Sequence, residues 1–199
     1  MNNVKKIVAS LGAGLLLVLT GCSSSNSAAT IGKTEIPIAT VQGTIDQILK
    51  ERAKVDTADM NIVAGAELNT NAIRFHVISV LFDDIAEKIS LEIKDSELAA
   101  RKADIILQIG GEDRLPISLV GAQIAPKDFS RYLRTVLLAE KIGEALKAQG
   151  DPSTDGSAIQ KLLVAMAKEK KVKINPRYGT WDYESGNITP AADNATVKK

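Results

Sequence analysis

The chain has 199 residues, 45% apolar and 25% charged, with a formal charge of +1, one cysteine and one histidine. This is the profile of a globular protein of one domain or two small ones. It excludes a strongly basic nucleic-acid surface, an internal disulfide framework and a clustered zinc site of about four Cys, His or carboxylate ligands.

Residues 1–22, MNNVKKIVASLGAGLLLVLTGC, divide into three parts. Lys5 and Lys6 form a positive start, residues 7–19 an apolar run of 13, and Leu19, Thr20, Gly21 and Cys22 the end. Thirteen residues span about 20 Å as a helix, short of the roughly 30 Å hydrocarbon core, so the segment reads as a secretory signal. The ending LTGC resembles the lipobox of bacterial lipoproteins. In that family the cysteine thiol receives a diacylglyceryl group and signal peptidase II cuts before it. The expectation is a signal peptide over residues 1–21, flanked at the cut by Leu19, Thr20 and Gly21, with lipidation at Cys22. Losing two lysines and no acid takes the formal charge to −1. A thioether also accounts for the lone cysteine, because a free extracytoplasmic thiol would be reactive. Residues 22–28 then form a lipidated cysteine and a small, polar tether reaching roughly 20 Å at full stretch. The domain is expected close to a membrane, anchored by lipid, since two or three acyl chains hold stably where one is marginal.

Residues 28–38, AATIGKTEIPI, predict a hairpin turning at Gly32-Lys33; Pro37, with no N–H to donate, makes the second arm an edge or ends it. Val41, Ile45, Ile48 and Leu49 fall on one helical face. Residues 54–67 read as a short helix or loop. The longest periodic run follows, with Ile73, Val77, Val80, Leu81, Ile85 and Ile89 on one face and Asn69 to Asn71 available as caps. The next helix takes Asp95 as its N-cap, carries Leu98, Ile105 and Ile109, and stops at Gly110-Gly111. Residues 115–121 are a short helix or turn. Pro126 opens a helix bearing Phe129, Leu133, Val136, Leu137, Glu140 and Leu146, which Gly150 stops. After a loop at 151–157, a last helix places Ile159, Leu162, Leu163 and Met166 on one face. Lys168, Lys170 and Lys171 crowd its C-terminus, where the macrodipole favours cations. VKINPRYGTWD, residues 172–182, is a strand broken at proline, and residues 184–199 read as a frayed, flexible tail.

Catalytic patterns are sparse. His76 is the only histidine, and no Gly-x-Ser-x-Gly elbow supplies it a nucleophile, so it reads as a helix-surface or packed residue. The glycines of LQIGGED follow a helix and lack phosphate-cradle spacing. Asp83 and Asp84 are adjacent in a helix and diverge, which suits a solvated face rather than a catalytic dyad. NIT at Asn187 and NAT at Asn194 match the glycosylation triplet but mean little behind a bacterial lipoprotein leader. The reading is a non-enzyme with no cofactor and no metal.

Residues 28–49, AATIGKTEIPIATVQGTIDQIL, resemble the N-terminal segment of the SurA/PrsA family of extracytoplasmic foldases, where a hairpin with an Asn-Gly-type turn leads into a helix. Here Ile31-Gly32 stands in that turn. The family continues through a long helix, a helix with a D-x-E start (Asp95, Glu97), and one opening near a proline with a basic follow-up (Pro126, Asp128, Phe129, Arg131, Arg134). Many members close with a strand that Val172, Ile174, Asn175, Pro176, Arg177, Tyr178, Gly179 and Trp181 match; the ending is similar to those of actinobacterial lipoproteins with a SurA-like N domain. The resemblance runs over roughly residues 28–182. It implies a mainly α fold with a small β element, a SurA N-terminal or trigger-factor-like peptide-binding domain over residues 29–183. Relatives insert a parvulin prolyl isomerase of about ninety residues where this chain has only residues 150–157, so isomerase activity does not carry over.

What remains is a membrane-anchored, non-enzymatic chaperone or peptide-binding module for unfolded or extended clients of the cell envelope. The alternative is a structural lipoprotein presenting a surface to one envelope partner. The outer face of a plasma membrane is favoured by the actinobacterial resemblance, while Ser23 would permit outer-membrane sorting in a two-membrane cell; oligomeric state stays open. Val172 and Ile174 are expected to pair with the N-terminal hairpin, with Lys171 and Lys173 on the opposite face. Tyr178 and Trp181 are expected to cover the core there with their polar tips outward.

Overall fold

Gly32 and Lys33 reverse the chain between β1 (Ser27–Ile31) and β2 (Thr34–Pro37), with Gly32 at φ +59°. The computed structural model describes residues 26–148, 150 and 156–190. The signal sequence, its flank Leu19, Thr20 and Gly21, the lipobox Cys22, most of the tether and Asn194 therefore lie outside the described residues. The hairpin is antiparallel, pairing Ala29 with Ile36 and Ile31 with Thr34. A register shift falls between Ser27 and Ala29, and the Ser27 hydroxyl spans it by donating to the Ala29 carbonyl at 2.8 Å. Pro37 lies on an outer strand, where its missing N–H leaves no ladder partner unmet.

No side chain caps α1 (Ile38–Arg52); instead the Asn26 carbonyl accepts the Ile38 N–H at 3.0 Å. The helix buries Val41, Thr44, Ile45 and Ile48. Leu49, expected on that face, is 48% exposed, because eight helical steps carry it about 80° around from Val41. Residues 53–64 form turns and irregular chain. The central helix, α2 (Gly65–Lys88), begins earlier than its asparagines suggested, so Asn69 and Asn71 lie inside it and cap nothing. It buries Leu68, Ala72, Ile73, Val77, Leu81, Phe82 and Ile85 around a wide arc, because α1, β1 and the later helices pack around it. Ile89, just past its end, is 49% exposed.

In α3 (Asp95–Gln108) the first helical residue is Asp95 and the N-cap is Lys94, whose N–H is accepted by the Glu97 carboxylate at 2.9 Å. Its end is the expected one: Gly110 at φ +90° lets the Gly111 N–H reach the Ile106 carbonyl at 2.8 Å. The short α4 (Leu115–Ala122) and a 3-10 turn at Pro126–Asp128 lead into α5 (Phe129–Ala148). This helix buries Phe129, Leu133, Leu138 and Ile142, while Glu140 is exposed and pairs with Arg101 of α3. In α6 (Ser157–Lys170) Ala158, Met166 and Ala167 are buried, with Ile159, Leu162 and Leu163 half-buried against the core.

Lys171 turns the chain at φ +53° into β3 (Lys173–Ile174), which pairs antiparallel with β1 through Ala29–Ile174 and Thr30–Lys173. β1 thus lies between β2 and β3, joining the two ends of the described chain. The ladder closes with the Asn175 N–H on the Ala28 carbonyl at 2.8 Å, one residue before Pro176. A second hairpin follows, β4 (Thr180–Asp182) with β5 (Asn187–Thr189), pairing Trp181 with Ile188. This corrects the expected tail from residue 184: residues 187–189 are a strand, and Ile188 is 2% exposed. Gly179 makes the hairpin possible, since a Cβ there would come within 2.1 Å of the Thr189 carbonyl oxygen. The fold is mainly helical with small antiparallel sheets, an α+β arrangement. Among the described residues no helix is long and apolar enough to cross a membrane.

Candidate functional site

Two groups of buried side chains form the interior. The main core surrounds α2, and a smaller cluster of Leu119, Phe129 and Leu133 sits where α4 meets α5. Between them is an open cleft of about 480 Å³, a volume in the range of ligand sites. Ile48, Leu68 and Phe82 of the main core line one side, joined by Phe75 and Ile78; Ile124 and Tyr132, packed on the smaller cluster, line the other. These are large apolar side chains from α1, α2, α5 and the segment after α4.

The cleft has a polar floor. Thr44 Oγ1 donates to Asp128 Oδ2 at 2.6 Å and lies 2.9 Å from His76 Nε2, and all three side chains are buried. A hydroxyl has one proton. Since that proton goes to the carboxylate, His76 must donate its Nε2–H to the Thr44 oxygen. Burial lowers the His76 pKa from 6.5 to about 4, against the attraction of Asp128 and with some help from Arg131 and Lys127. The imidazole is therefore neutral near pH 7. In a nucleophilic triad the imidazole sits between hydroxyl and carboxylate; here the hydroxyl sits between the other two, so His76 cannot take the Thr44 proton. The arrangement satisfies a buried imidazole and holds a carboxylate at the edge of the cleft.

The rim carries Asn71, Arg74 and Gln123. Gln123 ends α4 in the left-handed region, φ +59°, a conformation that is unfavourable for a residue with a Cβ. It is held there because its Oε1 accepts from Arg52 Nη2 at 3.0 Å and from the Val63 N–H at 3.3 Å. Arg52 Nη1 in turn donates to the Val63 carbonyl at 2.6 Å. The end of α1, the irregular segment and α4 are thereby tied together at one mouth of the cleft.

Residues singled out in the sequence gather elsewhere. Val172, Ile174 and Asn175 close the sheet, and Asn175 Nδ2 also donates to the Ser27 carbonyl at 3.1 Å. Val172 is buried and Ile174 half-buried, with Lys171 and Lys173 exposed on the other side. Pro176 and Arg177 are exposed in the turn that follows, and Tyr178 and Trp181 are each 5% exposed. The outward polar tips expected of that pair need correction at Trp181: its indole N–H is buried and has no partner among the described residues, where β5 pairs beside β4 and sets Ile188 opposite it. None of these residues lines the cleft. Asp83 and Asp84 diverge as expected, but toward partners rather than solvent alone. Asp83 takes Arg134 at 2.9 Å and Arg131 at 3.6 Å, and Asp84 takes Lys170 at 3.2 Å. Phe75, Phe82, Arg74 and Thr44 carried one faint sequence signal: Thr44 is a polar residue within the buried stripe of Val41, Ile45 and Ile48. Among the described residues no group of three His, Cys, Asp or Glu side chains could hold a metal ion.

No family model, no curated protein and no solved structure matches this chain.

Proposed function

We propose that the protein is a non-enzymatic peptide-binding module that holds extended apolar segments of other chains in the cleft between α1, α2 and α5. The observation that carries this reading is the cleft itself, open and walled by Ile48, Leu68, Phe75, Ile78, Phe82 and Tyr132. Large apolar side chains left facing a concave opening mark a binding surface. The reading is supported by the SurA/PrsA-like order of hairpin, helices and closing strand, and it includes lipid anchoring at Cys22 on the outer face of a membrane. Labelled acyl chain should then enter the wild-type protein and not Cys22→Ser. The test of binding is suppression of aggregation. The purified protein at several-fold excess should keep an unfolded client in solution, and Ile78→Asp, which sets a charge on the cleft wall, should lose most of that effect. Full protection by Ile78→Asp, or none by wild type, would count against the proposal.

A second reading, a lipoprotein that docks one fixed envelope partner, draws on Leu107, which is 81% exposed at the end of α3. Cross-linking that yields one dominant partner instead of many clients would favour it.

A further inference from the structure

The cleft is apolar on its walls but carries two unmatched charges. Arg74 lines it, half-buried, with Nη1 donating to Asn71 Oδ1 at 3.1 Å. Its Nε is buried without a partner among the described residues. Among the described residues no carboxylate pairs with it. A guanidinium drawn partly out of water against apolar side chains is unfavourable until an anion meets it, and carboxylate geometry suits its fork of N–H donors. Asp128 lines the same cleft. Its Oδ2 is held by Thr44, while Oδ1 has no hydrogen-bond partner among the described residues and is not among the sealed polar atoms. With His76 and Thr44 behind it, that oxygen can only accept.

We propose that the cleft selects apolar peptide segments that carry an acidic side chain, which Arg74 binds while Asp128 Oδ1 accepts a peptide N–H. The inference rests on the peptide-binding reading and adds the chemistry of the segment. Selection works in both directions. An acid placed at Asp128 would be repelled, and a basic residue placed at Arg74 would be repelled, so the cleft also sets the direction of the bound chain.

The full chain is reconstituted in neutral phosphatidylcholine vesicles and titrated against fluorescein-labelled ten-residue peptides rich in Leu and Phe. These differ only at a central Glu, Gln or Lys, and vesicles alone provide the blank. The expected order is Glu, then Gln, then Lys, with Glu bound about tenfold tighter than Gln, as a charge-assisted hydrogen bond gives. In Arg74→Gln the preference for the Glu peptide over the Gln peptide disappears, the ratio of the two affinities being the readout. Arg74→Lys keeps part of the preference, and an unchanged melting temperature shows that neither variant is misfolded. Equal binding of the three peptides by wild type, or a Glu preference that survives Arg74→Gln, overturns the acidic selection and leaves peptide binding standing. Failure of all three peptides to bind overturns both. Dodecanoate displacing the Glu peptide at lower concentration than unlabelled peptide would overturn the proposal in favour of a lipid acid.

Discussion

Gly179→Ala is the most informative single change, because the chain carries one tryptophan, Trp181, two residues away. Gly179 sits at φ +124°, and a Cβ there would lie 2.1 Å from the Thr189 carbonyl oxygen and 3.0 Å from Ile188 Cγ2. Ordinary contact would require β5 to retreat by more than an ångström from backbone, which cannot rotate away as a side chain can. That movement separates Trp181 from Ile188, each 5% exposed or less. Losing the burial of a large apolar side chain costs about 1.5–3 kcal/mol, so the substitution should destabilise by about 4 kcal/mol once backbone strain is added. Gly111→Ala is the control. Its φ is similar, +115°, but nothing lies within 4 Å of its Cβ position, so only backbone strain of about 1–3 kcal/mol applies. Urea unfolding followed by tryptophan emission reads both. Gly179→Ala should unfold at least about 2 kcal/mol more easily than Gly111→Ala, with native emission shifted to the red. If the two variants match within about 1 kcal/mol and emission is unchanged, the argument from close packing at Gly179 is wrong.

His76 is neutral in the fold and cationic in the unfolded chain below pH 6.5, so the unfolded state binds the extra proton and stability falls with pH. With a folded pKa of about 4, wild type should lose about 2–3 kcal/mol between pH 7.5 and 4.5 beyond what His76→Gln loses; parallel pH profiles in urea would refute this. A chain ending at Tyr183 lacks β5 and the burial of Ile188, and its melting temperature should fall by about 5–10 °C. A chain ending at Lys171 lacks β3 as well and should show no cooperative melt. Asn175→Ala removes the hydrogen bond to Ser27 O that ties the closing strand to β1 and should cost about 1 kcal/mol in urea.

The element order was legible because each signal is local. Gly32-Lys33 needs only its own turn, Gly110 only the last turn of α3, and Pro176 only the missing N–H that ends β3. The helical faces were read less well. A single apolar stripe describes a helix packed on one side, whereas α2 is enclosed on several, so its buried residues fill a broad arc and Ile89 falls outside it. The hairpin of β4 and β5 was missed because residues 184–190 are polar except Ile188, and the pairing that orders them depends on Gly179.

From its residues alone the chain determined that it would be mainly helical, open with a hairpin and close with a strand, since those follow from spacing, turn chemistry and alternation. Tertiary structure decided where a site could be. Thr44, His76 and Asp128 come from three separate segments and meet only when α1, α2 and the 3-10 turn before α5 pack. The cleft beside them draws its walls from α1, α2, α5 and the segment after α4. Spacing along a chain carries no information about which side chains will be left facing an unfilled gap, and that gap carries the proposed function.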